Sequence, residues 1–582
     1  MKLKFLVSSV LAAVFTLLIC SESWSVERTE QPTEPDPNPT MDGYLDSIAN
    51  DARVVSIVEK WQNEDYAKER FKEHMEVTRI SSPSRMELYR AIELTNRLKA
   101  VGYGTDEGYE IVFDPTGNMA GAALQVVDGL PVYNACAVIK GSTPDSVVDG
   151  VNIFSRPKVV IEGHIDTVNP ASINMTDKTG NVIPEHVYDT VRIQPVSQPL
   201  VSTPAELAAI KETLNFDKTT KKIIEDDNFA KVYKRFADKA SAEAGGAYRI
   251  YIPGYSDAMN NTMSVYQLAK LMKEQNIKPV HDIWFCFTAG EEGRGNLAGM
   301  KQLYGYNQNA DTNTLAEKGK NKLNIVANMS IDGSNLAIHF LGSYRYEVNY
   351  KSANGKGNAA MAAARAIAGI SDLKSPSELD PNKPKTTYTV GMVYPVSPDD
   401  GSKETSFEID MRSPVPETLI EMQSFILPYY KKGADEENAA VGANDITQAI
   451  NWYGDRPAHQ RSYDLMATDP LIYAGWKSYE MANGKPMTLP QYPRASTSLN
   501  DNVPAAIGVP TVNLNIGVTA MGGGGHAFNE WGVLGTIEKE TANFKRVFYT
   551  LLAISGMNAA NGDNVVPAAY PDKGPRHVNE QW

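Results

Sequence analysis

The chain has 582 residues, 42% of them hydrophobic, with a formal net charge of -14 and a pI near 5.2. That length exceeds one ordinary domain and supports sizeable cores. The negative balance, with no long Lys/Arg run to offset it, excludes a general nucleic-acid binder and leaves small ligands or peptides as partners.

Lys2 and Lys4 precede an apolar run over 5–19, followed by Cys20-Ser-Glu-Ser-Trp-Ser. This is the shape of a secretory signal over 1–25, too short and wrongly flanked for a spanning helix, with Ser23 and Ser25 ahead of a cut at Val26. It predicts a secreted or periplasmic protein. Leu17-Leu18-Ile19-Cys20 also resembles a bacterial lipoprotein cleavage site, with Ile19 where that pattern calls for a small residue. A lipid anchor at Cys20 is therefore the lesser expectation. Residues 26–40, rich in Pro and Glu, read as a disordered leader. The two remaining cysteines, Cys136 and Cys286, lie in apolar strand-like runs and read as packing residues rather than a disulfide.

Helical spacing runs over 41–98, interrupted at Ser81-Ser82-Pro83. Short strands follow, with turns at Gly117-Asn118 and Asp128-Gly129, and 158–161 reads as a strand at a sheet's centre. It ends in Gly163-His164-Ile165-Asp166-Thr167. Residues two apart share a side of an extended chain, where His164 can ligate a metal and Asp166 can orient its ring. A polar segment over 171–245 then holds a capping box at Thr203-Pro-Ala-Glu206. Apolar residues recur there at helical spacing (Leu207, Ile210, Leu214, then Phe229, Val232, Phe236), predicting a helical insertion.

A strand over 248–252 leads to Pro253-Gly-Tyr-Ser-Asp257 and then a helix, which places Asp257 in a strand-to-helix loop. Trp284-Phe-Cys-Phe-Thr-Ala-Gly is a buried strand that empties into two adjacent carboxylates, Glu291 and Glu292. Like charges that close raise one another's pKa, so the pair calls for a cation, a shared proton or plain solvation. The apolar run 323–331 likewise ends at Asp332. Four successive strand ends thus carry His164, Asp257, Glu291/Glu292 and Asp332, and in a parallel sheet such ends meet at one edge.

Over 343–453 the pattern becomes β-α-β-β-α-β without a histidine, a ferredoxin-like α+β domain spliced into the first. After Gly454-Asp-Arg-Pro-Ala458 the earlier α/β texture returns, with Ser498-Leu-Asn-Asp-Asn-Val-Pro504, a strand over 510–516, and Gly522-Gly-Gly-Gly-His526. Consecutive glycines allow the backbone to pass close to something bound. The expected fold class is α/β, with a mixed central sheet flanked by helices built from 41–342 and 454–582, plus the inserted domain.

Two histidines and several carboxylates suit two divalent cations, Zn(II) first, with Co(II) or Mn(II) also compatible with so many oxygen donors. In motif order over 77–554 the chain resembles the M20 family of co-catalytic metallopeptidases, which includes glutamate carboxypeptidases, succinyl-diaminopimelate desuccinylases and aminoacylases. The resemblance implies a zinc-peptidase-like catalytic domain. It implies that His164, Asp257 and Asp332 hold one metal, and that Asp257, Glu292 and His526 hold the other. Glu291 would be the general base and Asp166 the residue that orients His164. Asp410-Met-Arg412 and the runs 454–458 and 498–504 look like family segments, with Arg456 and Asn502 as substrate contacts.

Family members commonly begin the inserted domain with a Gly-Gly-His-Ser-like turn whose histidine reaches the substrate carbonyl, often across a dimer. Here Tyr350-Lys-Ser-Ala-Asn-Gly-Lys356-Gly357 stands in that place, and Lys356 is the candidate for its positive charge. The activity implied is hydrolysis of an amide bond in a peptide or N-acyl amino acid, with a homodimer left open. Two alternatives stand beside it. An M28-type aminopeptidase shares the strand-end ligands but lacks the inserted domain, and a non-catalytic binding protein on a peptidase fold is the other.

Overall fold

The computed structural model describes residues 38–115, 126–127, 130–144, 156–168, 187–306, 320–321, 324–333, 336–395, 402–460, 469–487, 496–561, 564–570 and 576–577. The expected signal with Cys20, the leader up to residue 37, the turns at 117–118 and 128–129, and the insertion up to residue 186 lie outside them. Among the described residues no helix is long and apolar enough to cross a membrane. The chain divides into two compact units, one of them formed by 344–452.

The larger unit opens with three helices, Pro39–Asn50, Ala52–Gln62 and Glu64–Thr78. The side chains of Asn38, Asp51 and Asn63 each accept an N–H from the turn that follows, so a single Asx residue separates one helix from the next and caps it. The stretch expected to be helical over 41–98 is therefore these three helices, an irregular passage and Leu88–Ala100.

Six strands form the central sheet in the order Tyr109–Val112, Ala135–Ile139, Asp282–Thr288, Lys158–His164, Ile325–Ile331, Thr511–Leu514. The first two pairings are antiparallel and the next three parallel, which gives the mixed sheet. Every residue of Asp282–Thr288 is buried. Ile283, Phe285 and Phe287 enter one core while Trp284 and Cys286 enter another, because successive side chains leave opposite faces. A strand covered on both faces has no polar side to show, hence its unbroken apolar run. The core containing Ile283, Phe285 and Phe287 also takes residues of the helices Asn260–Glu274, Pro470–Asn483 and Ile537–Ser555, with Trp61 stacked on Phe544 at 3.9 Å.

Asp257 departs from the expected series of strand ends. Its strand, Tyr248–Tyr251, lies in a separate sheet ordered Thr519–Gly523, Trp531–Leu534, Tyr248–Tyr251, Arg192–Pro195. The hairpin of that sheet also carries His526. The described part of the insertion is not purely helical, since Arg192–Pro195 is the sheet's edge strand. Three short helices accompany it, Pro204–Ala209, Asp227–Val232 and Lys239–Ala244, the first with the expected capping box on Thr203. Val196, Val201 and Ala242 pack with Tyr251, Trp531 and Val533, so the insertion backs the sheet that holds His526.

The cysteines correct the sequence expectation. Cys136 and Cys286 are directly opposed in the antiparallel pairing of their strands, 4.2 Å apart at Cα, and form a disulfide. Each lies in an apolar run that reads as packing, and only the register puts them face to face.

In the smaller unit the four strands Gly342–Ser352, Thr387–Pro395, Glu404–Ser413 and Ile446–Arg456 make a sheet in the order second, third, first, fourth. With helices Ala359–Ser371 and Pro416–Val441 this is the connectivity of a ferredoxin-like sandwich. The two helices touch closely, since a Cβ on Gly433 would stand 2.5 Å from the Ala362 carbonyl oxygen.

Alkylation of the unfolded, unreduced protein is expected to leave Cys136 and Cys286 unmodified, and replacing both with Ser is expected to lower stability by about 2–4 kcal/mol. Labelling of both thiols in unreduced protein would show that the bridge is not made.

Candidate metal centre

His164 closes the Lys158–His164 strand and is buried. A side chain at Gly163 would place Cβ 2.6 Å from Thr262 Oγ1, so glycine is what lets the Asn260–Glu274 helix approach. Thr262 Oγ1 uses that proximity to donate to the His164 carbonyl at 2.7 Å. His164 Nδ1 lies 3.4 Å from Asp166 Oδ1, the orienting contact that their spacing suggests. Asp166 does more than orient the ring. Its Oδ1 accepts the Glu291 N–H and its Oδ2 the Glu292 N–H, each at 2.9 Å, and Ser84 Oγ donates to Oδ2 at 2.6 Å. Although burial opposes ionisation, the His164 ring and these donors hold its carboxyl below the usual range.

A second buried carboxylate organises the Asp257 loop. Glu530 accepts the backbone N–H groups of Gly254 at 2.6 Å, Ser256 at 2.9 Å and Asp257 at 3.1 Å, and the Ser256 hydroxyl at 3.0 Å. Because Glu530 follows His526 by four residues, one short segment supplies a donor nitrogen and the strut for the opposing loop. The glycine run just before His526 leads into the turn. Gly524 has φ +74°, and a Cβ there would meet the Asn529 carbonyl at 2.9 Å.

The donor atoms of His164, Asp257 and Asp332 lie within 4.8 Å of one another, and so do those of Asp257, Glu292 and His526. His164 Nε2 is 3.3 Å from Asp257 Oδ1 and 3.7 Å from Asp332 Oδ1. His526 Nε2 is 2.9 Å from Asp257 Oδ2 and 3.2 Å from Glu292 Oε1. Asp257 thus faces a different histidine with each oxygen. Glu291 joins His164 and Glu292 in a third such group.

Electrostatics fit a cation. Burial pushes the Glu292 carboxyl up to about 8, with Glu291 adding to it, and burial pushes Asp332 up to about 7. Asp257 moves oppositely: against burial, its bonds to His164 and His526 hold it well below the usual range. Contacts with Asp257 and Glu292 push His526 up to about 10, while His164, whose burial acts the other way, is raised by Asp332, Asp166 and Asp257. Asp332 Oδ2 is buried without a hydrogen-bond partner. Protons hold this acid-rich cluster together, and divalent ions would replace them with more charge. Imidazole nitrogens and carboxylates without thiolate suit Zn(II), Co(II) or Mn(II).

Other expected site residues are placed differently. Arg456 is buried, and its guanidinium serves the protein: Nη1 donates to Glu291 Oε1 at 3.0 Å and to the Ser498 carbonyl at 2.8 Å, and Nη2 to the Glu291 carbonyl. Asn502 is fully buried, donating to the Leu341 and Pro457 carbonyls and accepting from the Leu499 N–H. The neighbouring Asn500 donates to Glu162 and Thr288 beneath the centre, so the 498–504 run is a buried prop. Lys356 lies in the smaller unit with an exposed side chain, and its N–H donates to Asp445 at 2.9 Å. Sequence reasoning missed Ser84 and Glu530, for which the one signal is an acid four residues beyond His526.

No protein-family model matches this chain, and no curated protein does. Among solved structures it is similar to human carnosine dipeptidase 1, at 10% identity over 88% of this chain and 99% of that one, TM-score 0.48. It is similar to a tripeptidase of Staphylococcus aureus, at 15% identity over 83% and 97%, TM-score 0.47. A third likeness is to YxeP of Bacillus subtilis, a dinuclear metal binding peptidase from the M20 family, at 12% identity over 84% and 98%, TM-score 0.41.

Replacing Glu530 with Ala leaves four donors around Asp257 without their acceptor, and metal affinity measured against a competing chelator is expected to fall about 10–100-fold. Unchanged affinity would make Glu530 incidental to the centre. Protons on Asp332 below about pH 7, on Glu292 below about 8 and on His526 below about 10 must leave when metal binds. Affinity should therefore rise with pH through that window, with net proton release seen as a buffer-dependent heat in calorimetry.

Proposed function

We propose that this chain hydrolyses an amide bond in a peptide or N-acyl amino acid at two divalent metal ions, in the manner of the M20 metallopeptidases. The observation that carries this reading is the division of Asp257: Oδ1 belongs with His164 and Asp332, Oδ2 with His526 and Glu292. A carboxylate shared in this way is the arrangement that bridges two ions. When bound, the ions supply an acidified water and polarise the scissile carbonyl. Glu291 is the general base, taking a proton from the attacking water and returning it to the leaving nitrogen. Arg456 fixes the Glu291 carboxylate from the side through Oε1. Asp166 fixes the same residue through its backbone, so Glu291 is oriented at both ends.

Export is part of the proposal. It is supported by the basic-then-apolar start of the chain and by the Cys136–Cys286 disulfide, a bond that persists in oxidising compartments. The ferredoxin-like unit at 344–452 favours the M20 type over the M28 aminopeptidases.

Replacing Glu291 with Gln is expected to lower turnover about 10²–10⁴-fold on whichever dipeptide or N-acyl amino acid proves active, with metal content unchanged by elemental analysis. Full activity in that variant would remove Glu291 as the base. Bound metal in the wild-type protein without hydrolysis of any dipeptide or N-acyl amino acid tested would favour a binding protein.

A further inference from the structure

Next to Asn260, at the start of the helix that follows Asp257, lies a cavity of about 30 Å³ that the proposed chemistry does not use. Its walls include Trp61, Arg70, His74, Arg235, Asn260 and Glu540. Three of these carry buried N–H donors without a hydrogen-bond partner: Trp61 Nε1, Arg70 Nε and Arg235 Nε. Unpaired buried donors are uncommon, and three among the residues that line one cavity call for an acceptor.

Glu540, the carboxylate in the wall, already pairs with both guanidinium groups, at 3.2 Å from Arg70 Nη2 and 3.1 Å from Arg235 Nη1. Two permanent positive charges against one negative leave an excess of one. Burial lowers the Arg70 pKa, Glu540 opposes that shift and Arg235 adds to it, as expected for cations crowded together. A water would bring two further donors into a wall already rich in them.

We infer that this pocket binds one small monovalent inorganic anion, of the chloride class, through Trp61 Nε1–H, Arg70 Nε–H and Arg235 Nε–H. An anion of higher charge would be repelled by Glu540, and a single charge matches the excess. Occupancy braces the metal centre from behind. His74 hydrogen-bonds the Tyr255 backbone, two residues before Asp257, and its ring lies 5.3 Å from that of Tyr255. Asn260, also in the wall, opens the helix that follows Asp257.

The test uses the full-length protein at constant ionic strength with chloride exchanged for gluconate, which is too bulky for the site. The melting temperature is expected to rise saturably with chloride and with bromide but not with gluconate. Crystals grown in bromide should show an anomalous peak at the three nitrogens. Trp61→Phe keeps the ring that stacks on Phe544 and removes one donor, and should raise the half-saturating chloride concentration about fivefold, the worth of one hydrogen bond. Arg235→Gln, which removes the excess charge, is the second variant and should abolish the chloride response. Equal melting temperatures in chloride and gluconate, or bromide crystals without a peak in this pocket, would overturn the inference. None of these readouts depends on hydrolysis, so they stand or fall apart from the hydrolase assignment.

Discussion

The centre depends on one buried carboxylate, Asp166. It holds the imidazole of His164 with one face and the consecutive N–H groups of Glu291 and Glu292 with its two oxygens, so a donor from one strand and two acids from its neighbour share a single anchor. Acids crowded together repel, and without a fixed backbone they would turn outward to water. Backbone hydrogen bonds to a charged acceptor are among the stronger ones available inside a protein, which is why the pair stays buried and pointed inward.

Glu530 repeats the device on the other side. Asp257 and His526 do not come from the central sheet, and no strand register ties them to His164. Three backbone donors on the Asp257 loop converge on Glu530, and His526 hangs from the segment that Glu530 ends. The insertion packs behind that hairpin, and Asn529 donates to the Val201 carbonyl at 2.6 Å. The insertion therefore stiffens the more exposed half of the centre.

Below the centre the fold keeps a polar layer where an apolar one would be cheaper. Glu162 and Asp501 are both buried, and burial pushes each up to about 7. Asn500 ties Glu162 to Thr288, and Asn513 donates to Asp501 at 2.8 Å, so the layer is stitched across the strands that deliver His164, Glu291 and Asp332. Such networks are costly to break once formed and favour a single arrangement of the groups they hold.

Much of this was legible in order along the chain. Fully buried strands announce themselves as apolar runs, and an acid or histidine just past such a run is conspicuous, so His164, Glu291, Glu292 and Asp332 were marked by local pattern alone. The β-α-β-β-α-β unit was equally plain, since its period changes are local. What the chain could not show by itself is everything that depends on which strand lies beside which. Cys136 and Cys286 are 150 residues apart and meet only through register. Arg456 reads as a substrate contact and proves to hold Glu291, 165 residues away. Asp257 and Asp332 look alike in sequence yet descend from different sheets. Sequence determines the kinds of groups and the local elements that present them, because periodicity and turn chemistry act over a few residues. Tertiary structure alone decides their partners, because hydrogen bonds and charge pairs depend on distance in space and not along the chain.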